Sequence, residues 1–397
     1  MEVIRAALNN LLDYCEHEQY KGYDPYDTLN SCINFRAFGK WGPPLAIQFQ
    51  KLNPLNIRPL LGIKKGINPK AMGLFLKAYC MLHKKTGRQE YITKAEEIFH
   101  WLKANYSTGY TGYAWGYNFD WATPGSYLNA YTPSVVVTSF IVDGIFEYYK
   151  ITKSVDAKDT IINASKYIIN DIPTTSFENG ISFSYTHLSK GSCYNASLLA
   201  AEVLAKADFV ENSKNHTQLI ESAIRFVLSK QNDDGSWYYS LDPKTNIERK
   251  QIDFHQGFVL VSLIKLMNLT GLLRDKINVS ISKGANFYRF HQFDDNGRSL
   301  WRLPKKWPVD IHNQSQGIIT FNLLKEIDPS YSDFAKKIAI WSILNMKNSN
   351  GTFQYRKYPF YKIKISYMRW SQAWMMLALS EIIDFAHDKY NPRCCNN

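Results

Sequence analysis

Two histidines, three aspartates and a tyrosine in this 397-residue chain have the types and surroundings for acid–base chemistry on a sugar ring. His255 and His312 can take up and return a proton near neutral pH, and Tyr194 offers a hydroxyl for the same task. Asp120, Asp253 and Asp310, with Asp24 or Asp27 nearer the start, could supply the carboxylate pair of a hydrolytic site. Around them stand Trp115, Tyr117, Trp121, Tyr185, His187, Asn195, Trp237, Trp301, Arg302, Asn313, Tyr355, Arg356, Arg369 and Trp370. They combine flat apolar faces with groups that hold hydroxyls or a carboxylate. Arg302, Arg369, Asn195 or Asn313 would neutralise a uronate carboxylate, which acidifies the α-proton for removal by a histidine or by Tyr185 or Tyr194. That is lyase or epimerase chemistry.

These residues fall between helices, in a phrase that repeats five times: an amphipathic helix, an Asn-Gly or Asp-Gly turn, a short aromatic stretch, then a strongly apolar helix. Gly112, Gly180, Gly235, Gly297 and Gly351 mark it, at intervals of roughly 60 residues that speak for stacked helical hairpins. One helix type has a single stripe, as at Ile220, Ala223, Ile224, Val227 and Leu228, or at Ala95, Ile98, Phe99 and Leu102. The other, at 257–267, 135–145 and 373–380, is apolar on nearly every face and must be covered all round. The pattern predicts twelve helices, near 2–20, 68–85, 90–105, 132–150, 156–170, 192–207, 213–230, 254–268, 277–291, 313–326, 331–346 and 369–388, alternately outer and inner. The fold expected is all-α: an (α/α)6 toroid over 1–390 as one domain, with a long first link at 21–67 as lid or wall and a tail at 391–397. Gln256, Gln316 and Gln372 open inner helices in one register, which predicts a structural duty, and Asp253, Asn313 and Arg369 precede them by three residues.

Charge narrows the ligand. The net charge of +12 gathers in two links, at Arg298, Arg302, Lys305 and Lys306 and at Arg356, Lys357, Lys362, Lys364 and Arg369, interleaved with tryptophan and tyrosine. A basic aromatic rim suits an anionic oligo- or polysaccharide. No helix-turn-helix, zinc-knuckle or RNA-recognition signature points to nucleic acid. The first ten residues do not read as a signal peptide and no apolar run is long enough to span a bilayer, so a cytoplasmic protein, compatible with a peripheral place at a membrane, is expected. The six cysteines show neither disulfide nor metal spacing; no metal, cofactor or obligate protein partner is expected.

The stretch 223–237 (AIRFVLSKQNDDGSW), with Gln231, Asp234, Gly235 and Trp237, resembles the QW-type repeat of triterpene cyclases, and the resemblance implies the toroid. It does not extend to the chemistry: Asp233-Asp234 and Asp294-Asp295 make neither the Asp-x-Asp-Asp acid nor the Asp-Asp-x-x-Asp magnesium motif. The zinc site of protein prenyltransferases and lanthionine cyclases would find here only Cys193 near His187. The chain is also similar to toroidal six-hairpin glycosidases, polysaccharide lyases and glucuronyl epimerases. Tyr23-Asp24-Pro25-Tyr26-Asp27 and the 62–70 stretch GIKKGINPK resemble toroid proteins found with capsule and exopolysaccharide biosynthesis. Together these imply a protein that acts on an acidic, uronate-containing glycan by lyase, epimerase or hydrolase chemistry. The alternatives are a non-catalytic binder of a glycan or lipid-linked intermediate, and an isoprenoid-binding relative of the terpenoid cyclases.

Overall fold

The computed structural model describes residues 1–384; Cys394, Cys395 and the end of the helix expected over 369–388 lie outside them. Thirteen α-helices are present among the described residues: α1 (Glu2–His17), α2 (Gly42–Leu52), α3 (Pro69–Thr86), α4 (Gln89–Ala104), α5 (Val135–Thr152), α6 (Val155–Asn170), α7 (Tyr194–Glu211), α8 (Thr217–Leu228), α9 (His255–Thr270), α10 (Arg274–His291), α11 (Ile311–Leu324), α12 (Ser330–Met346) and α13 (Trp374–Ile382). Twelve of these are the helices expected from the apolar periodicity. The thirteenth, α2, lies inside the long first link, and α13 is preceded by a π-helical turn at Met368–Ala373. No helix is long and apolar enough to cross a membrane.

The all-round apolar helices α3, α5, α7, α9, α11 and α13 pack in that order, and α13 returns to α3. The single-stripe helices sit outside them, and α1 completes the outer layer against α12 and α13. The fold is therefore the (α/α)6 toroid. Local signals set the helix ends: Asn68 caps α3 by accepting from the Lys70 and Ala71 amides, Pro69 occupies its first turn, and Gly87 ends it in the left-handed region. Where α3 meets α5, Gly73 and Gly144 let the backbones touch; a Cβ on Gly144 would lie 2.5 Å from the Gly73 carbonyl oxygen.

Short connections gather at one end of the ring and long ones at the other. The long links carry small antiparallel hairpins, and two join neighbouring links, 192–193 with 240–241 and 309–310 with 356–357. One device recurs in them. The residue two after the turn glycine donates its amide to a glutamine on the next inner helix: Trp237 to Gln256 (3.0 Å), Ser299 to Gln314 (2.6 Å) and Phe353 to Gln372 (2.8 Å). The glutamine Nε2 returns the bond to a link carbonyl each time. The structural duty expected of Gln256 and Gln372 is found, but the third member is Gln314; Gln316 bonds Thr320. The register shift of two makes Ile311, not Asn313, the counterpart of Asp253 and Arg369.

The axis of the inner ring holds charges. Lys77 (α3) reaches Asp143 (α5) at 3.2 Å and Glu381 (α13) at 3.1 Å; Lys206 (α7) reaches Asp143 at 3.0 Å and Glu202 (α7) at 2.8 Å; Lys265 (α9) reaches Asp143 at 2.9 Å and Glu202 at 3.4 Å. Burial alone would neutralise these carboxyls, yet the lysines around Asp143 and Glu202 hold both below their usual range.

Removing Asp143 leaves three lysines facing a dry interior with too few partners, so Asp143→Ala is expected to cost about 3–5 kcal/mol, read as a lowered melting temperature. An unchanged melting temperature would contradict the network's role. Gly235 holds φ +92°, and a Cβ there would lie 2.4 Å from the Lys283 carbonyl oxygen. Gly235→Val is therefore expected to lose about 2–4 kcal/mol; equal melting curves for variant and parent would refute this.

Candidate active site

The N-termini of the inner helices and the long links meet at one end of the ring, where a small hollow of about 220 Å³ is lined by Tyr194, Asn195, Trp237, Tyr239, Gln251, Asp253 and His255, and the best-defined chemical pair there comes from the link before α9. Asp253 lies two residues ahead of His255 and receives both the His255 backbone amide (3.2 Å) and the ring Nδ1 (2.5 Å) on Oδ1. Its other oxygen accepts from Gln251 Nε2 (2.6 Å), with Arg302 Nε 3.6 Å away. Burial pushes the Asp253 carboxyl up, but His255, the amide and Arg302 outweigh it and hold the group below its ordinary range. An ionised carboxylate only accepts, so Nδ1 is the donor of this bond, and in the neutral imidazole the lone pair falls on Nε2. The His255 side chain is 23% exposed.

His312 has a different setting. It is buried in the first turn of α11, with its ring 4.6 Å from Trp370, 4.7 Å from Trp374 and 4.5 Å from Phe254. Its Nδ1 has no hydrogen-bond partner among the described residues. Burial first, then the charges of Lys70 and Arg369 and neighbouring His255, hold its pKa well below the imidazole norm. Both imidazoles rest on one aromatic pair: Phe254 lies 4.3 Å from His255, and Phe258 lies 5.8 Å from each.

The remaining charges are mostly committed to one another. Arg369 donates to both oxygens of Asp24 (2.6 and 2.7 Å), tying the last link to the first. Arg58 donates to Asp27 (2.7 Å) and to the Asp24 carbonyl (2.9 Å). Asp310, fully buried, caps α11 through the His312 amide and accepts from Arg356 Nε and Trp370 Nε1, each at 2.8 Å. Asp120 accepts from the Tyr127 hydroxyl and, at 2.8 Å, from the Ala130 amide, bracing the 121–128 hairpin. All four aspartates are thus held by hydrogen bonds within the protein, and burial pushes the Asp27 carboxyl up to about 6 despite Arg58.

Lys70 is the exception. It is buried on α3 with Nζ 4.2 Å from the Phe140 ring centre and 5.4 Å from that of Trp374, and no carboxylate lies within ion-pair distance among the described residues. Burial and the Arg369 charge hold its pKa well below the usual lysine value.

Several expected ligand residues are instead core or scaffold. Trp115 and Trp237 donate their indole N–H to the Leu102 and Val227 carbonyls (both 2.9 Å), pinning links to α4 and α8. Tyr194 gives its hydroxyl to Glu248 and packs on Phe226. Tyr355 is buried against Tyr367, Asn313 holds the Leu300 and Trp301 carbonyls, and Arg356 lies over Trp301. Asn195 accepts from the Cys193 thiol (2.9 Å), while His187 rests against Tyr110; the thiol is pushed up by burial to about 11. No group of three or more potential metal ligands occurs among the described residues. Around the histidines the structure brings together Trp370, Arg302, Tyr239 (4.7 Å from His255) and, against Arg369, Tyr117 with its partner Tyr185. Trp121 is half-buried at the start of its hairpin.

No family model and no curated protein matches the chain in sequence. Solved structures do match in shape. Cellobiose 2-epimerase from Bacillus thermoamylovorans superposes with a TM-score of 0.63 at 14% identity, over 80% of this chain and 88% of that one. An unsaturated glucuronyl hydrolase specific for heparin gives 0.62 at 13% identity, over 96% of both chains. A GH76 α-mannanase from Bacteroides thetaiotaomicron gives 0.59 at 12%, over 79% and 85%. The shared feature is the (α/α)6 toroid. At these identities the likeness carries the fold, and the chemistry must come from the cup.

Because the folded state keeps His312 neutral below the pH at which the unfolded chain takes up a proton, that residue's contribution to stability is complete above an ordinary imidazole pKa of about 6.5 and is lost as pH falls below it, at up to about 1.4 kcal/mol per pH unit. Urea midpoints of the parent should therefore fall more steeply from pH 7 to pH 5 than those of His312→Gln. Parallel profiles would exclude a buried neutral histidine here.

Proposed function

We propose that this protein is a carbohydrate-processing enzyme that removes a proton from a sugar carbon beside a carboxylate or carbonyl group, as an epimerase or lyase does, with His255 as the base. The observation that carries the reading is the Asp253–His255 pair, a partly exposed imidazole held through Nδ1 by a buried carboxylate on the same aromatic wall that holds His312. Asp253 fixes the tautomer and stabilises the imidazolium that forms. Half-buried Phe254 and Tyr239 offer ring faces for a sugar, with Phe258 and Trp370 buried behind them. Lys70, buried beside these rings with no carboxylate in ion-pair distance among the described residues, would donate a hydrogen bond to the enolate oxygen formed when the proton leaves, whereas Arg369 is held by Asp24. His312 then serves as the second proton-handling group.

The mouth favours an acidic sugar. Arg302 is 43% exposed beside Asp253, and exposed Arg249 lies over the Tyr239 ring at 5.0 Å; these, rather than the internally paired Arg356 and Arg369, are placed to meet a uronate carboxylate. An acidic glycan carried at a membrane surface, as in capsule or exopolysaccharide formation, fits this reading. Hydrolysis is less well supported because the acidic candidates are tied to arginines, amides and hydroxyls.

The test is incubation of the protein with uronate-containing oligosaccharides in deuterated water. Carbon-bound deuterium or an unsaturated product is expected. New reducing ends without either would overturn the reading in favour of hydrolysis, and no change of any kind would leave a binding protein. With a substrate in hand, His255→Ala should lower kcat by about 10²–10⁴-fold while shifting stability by less than about 1 kcal/mol. His312→Ala should lose both turnover and stability, since it opens a cavity among four aromatic rings. Undiminished kcat in His255→Ala would remove it from the mechanism.

A further inference from the structure

The long first link carries an apolar surface that the cup does not use. Helix α2 has two apolar sides. Pro43, Pro44 and Ile47 face the rim and are buried, whereas Leu45, Phe49 and Leu52, at i, i+4 and i+7, face outward. Phe38 and Trp41 before the helix and Leu55 after it continue the outward face, and all six of these side chains are between 53% and 69% exposed. Isolated exposed apolar residues need no explanation, but six large ones in eighteen positions do.

The charge around this face selects the occupant. From Thr28 to Gln89 the chain contains no aspartate or glutamate, while Arg36, Lys40, Lys51, Lys64 and Lys65 fall within it. Arg36, Lys40 and Lys64 are exposed. Lys65 is paired with Glu18 at 2.6 Å, but Arg36, Lys40 and Lys64 have no carboxylate in ion-pair distance among the described residues, and a second copy seated on this face would set these cations against each other. An outward apolar stripe among basic side chains is instead the pattern of a helix lying in the headgroup region of an anionic membrane. On the same end of the toroid, the tip of the 356–363 hairpin repeats the combination, with Phe360 99% exposed between Lys357 and Lys362.

We propose that the outward face of α2 and its flanks docks the protein onto an anionic lipid bilayer, which places the mouth of the cup at the membrane surface. The link is firmly joined to the cup: Arg58 holds Asp27 and the Asp24 carbonyl, Asp24 holds Arg369, and Lys51 donates to the Tyr26 hydroxyl at 3.0 Å while Tyr26 packs on Trp370. A surface that settles on lipid therefore orients the mouth rather than swinging free of it.

The experiment is co-sedimentation of the full chain with vesicles of phosphatidylcholine containing one-third phosphatidylglycerol, and with phosphatidylcholine alone. The parent should bind the anionic vesicles about tenfold or more tightly than the neutral ones, and high salt should weaken binding. The triple variant Leu45→Ser, Phe49→Ser, Leu52→Ser should bind about a hundredfold less well with an unchanged melting temperature, because none of the three packs in the core. Lys40→Glu should weaken binding to anionic vesicles alone. Absence of parent binding to either vesicle, or equal binding by the triple variant, would overturn the proposal. A parent dimer that the triple variant abolishes, without vesicle binding, would assign the face to a second copy. Vesicle binding is read without turnover, so its outcome is independent of the proton-transfer reaction.

Discussion

Lysines and carboxylates packed along the toroid axis tie the inner helices to one another. Six inner helices leave a central space, and Lys77, Lys206 and Lys265 fill it with long side chains that end on Asp143, Glu202 and Glu381. Apolar packing could be as stable as such a network, but a half-made network would be far worse, so the positions depend on one another. Five of the inner helices supply the charges and the sixth, α11, sends Asn322 to the Glu381 backbone carbonyl. Lys70 stands seven residues before Lys77 on α3, about 10 Å along the helix. Buried Lys70 and His312, without an ion pair among the described residues, therefore lie on the side of the long links, with a neutralised plug beneath them.

Much of the fold was legible because burial imposes periodicity. Helices covered on all sides must be apolar all round, helices covered on one side need only a stripe, and that contrast separated inner from outer in the correct order. The axial charges were hidden by the same rule, since one lysine or glutamate per inner helix barely alters an apolar pattern; Glu202 and Lys206 in α7 read as incidental until five helices are brought together. Helix α2 was missed for the opposite reason. Its apolar residues lie on two sides and begin at Gly42-Pro43-Pro44, which reads as a turn, although proline in a first helical turn is equally at home. The shift from Gln316 to Gln314 followed from counting along links of unequal length, where hydrogen-bond partners rather than spacing define equivalence.

The site was legible in part. His255, His312, Asp253, Arg302 and Trp370 were marked by type and place, and the ring brings them to one cup. Arg356 and Arg369 were marked as free cations, but a sequence does not show that Asp310 and Asp24 take them up. Counting basic residues in a link therefore overstates what a ligand meets. Lys70 went unread although it carried a signal: a lysine in the first turn of a helix opposes the helix dipole, and here it also lies in a buried stretch. Trp115 and Trp237 were misleading because a tryptophan after a turn glycine suits a sugar platform and a helix clamp equally well, and only the indole N–H partner separates the two.

Toroids of this shape are found in an epimerase, a glucuronyl hydrolase and a mannanase, so the ring does not choose between proton transfer and hydrolysis. The proposed proton transfer rests instead on the state of the carboxylates. A hydrolytic pair needs one acid that can give up a proton to the leaving oxygen and one carboxylate free to face the sugar or a water. In this cup Asp24 spends both oxygens on Arg369, and Asp310 spends its own on Arg356, Trp370 and the α11 amide. Asp253 is the one that faces a histidine, and its remaining oxygen is already held by Gln251 and approached by Arg302. Each of these bonds lowers the tendency of Asp253 to take up a proton, so it is poorly suited to act as an acid and well suited to polarise an imidazole. The wall behind that imidazole is aromatic, and the proposed proton abstraction uses this pair rather than a free carboxylate. The same accounting explains why His312, without a carboxylate of its own, stays neutral while His255 beside it has a partner ready for its positive charge.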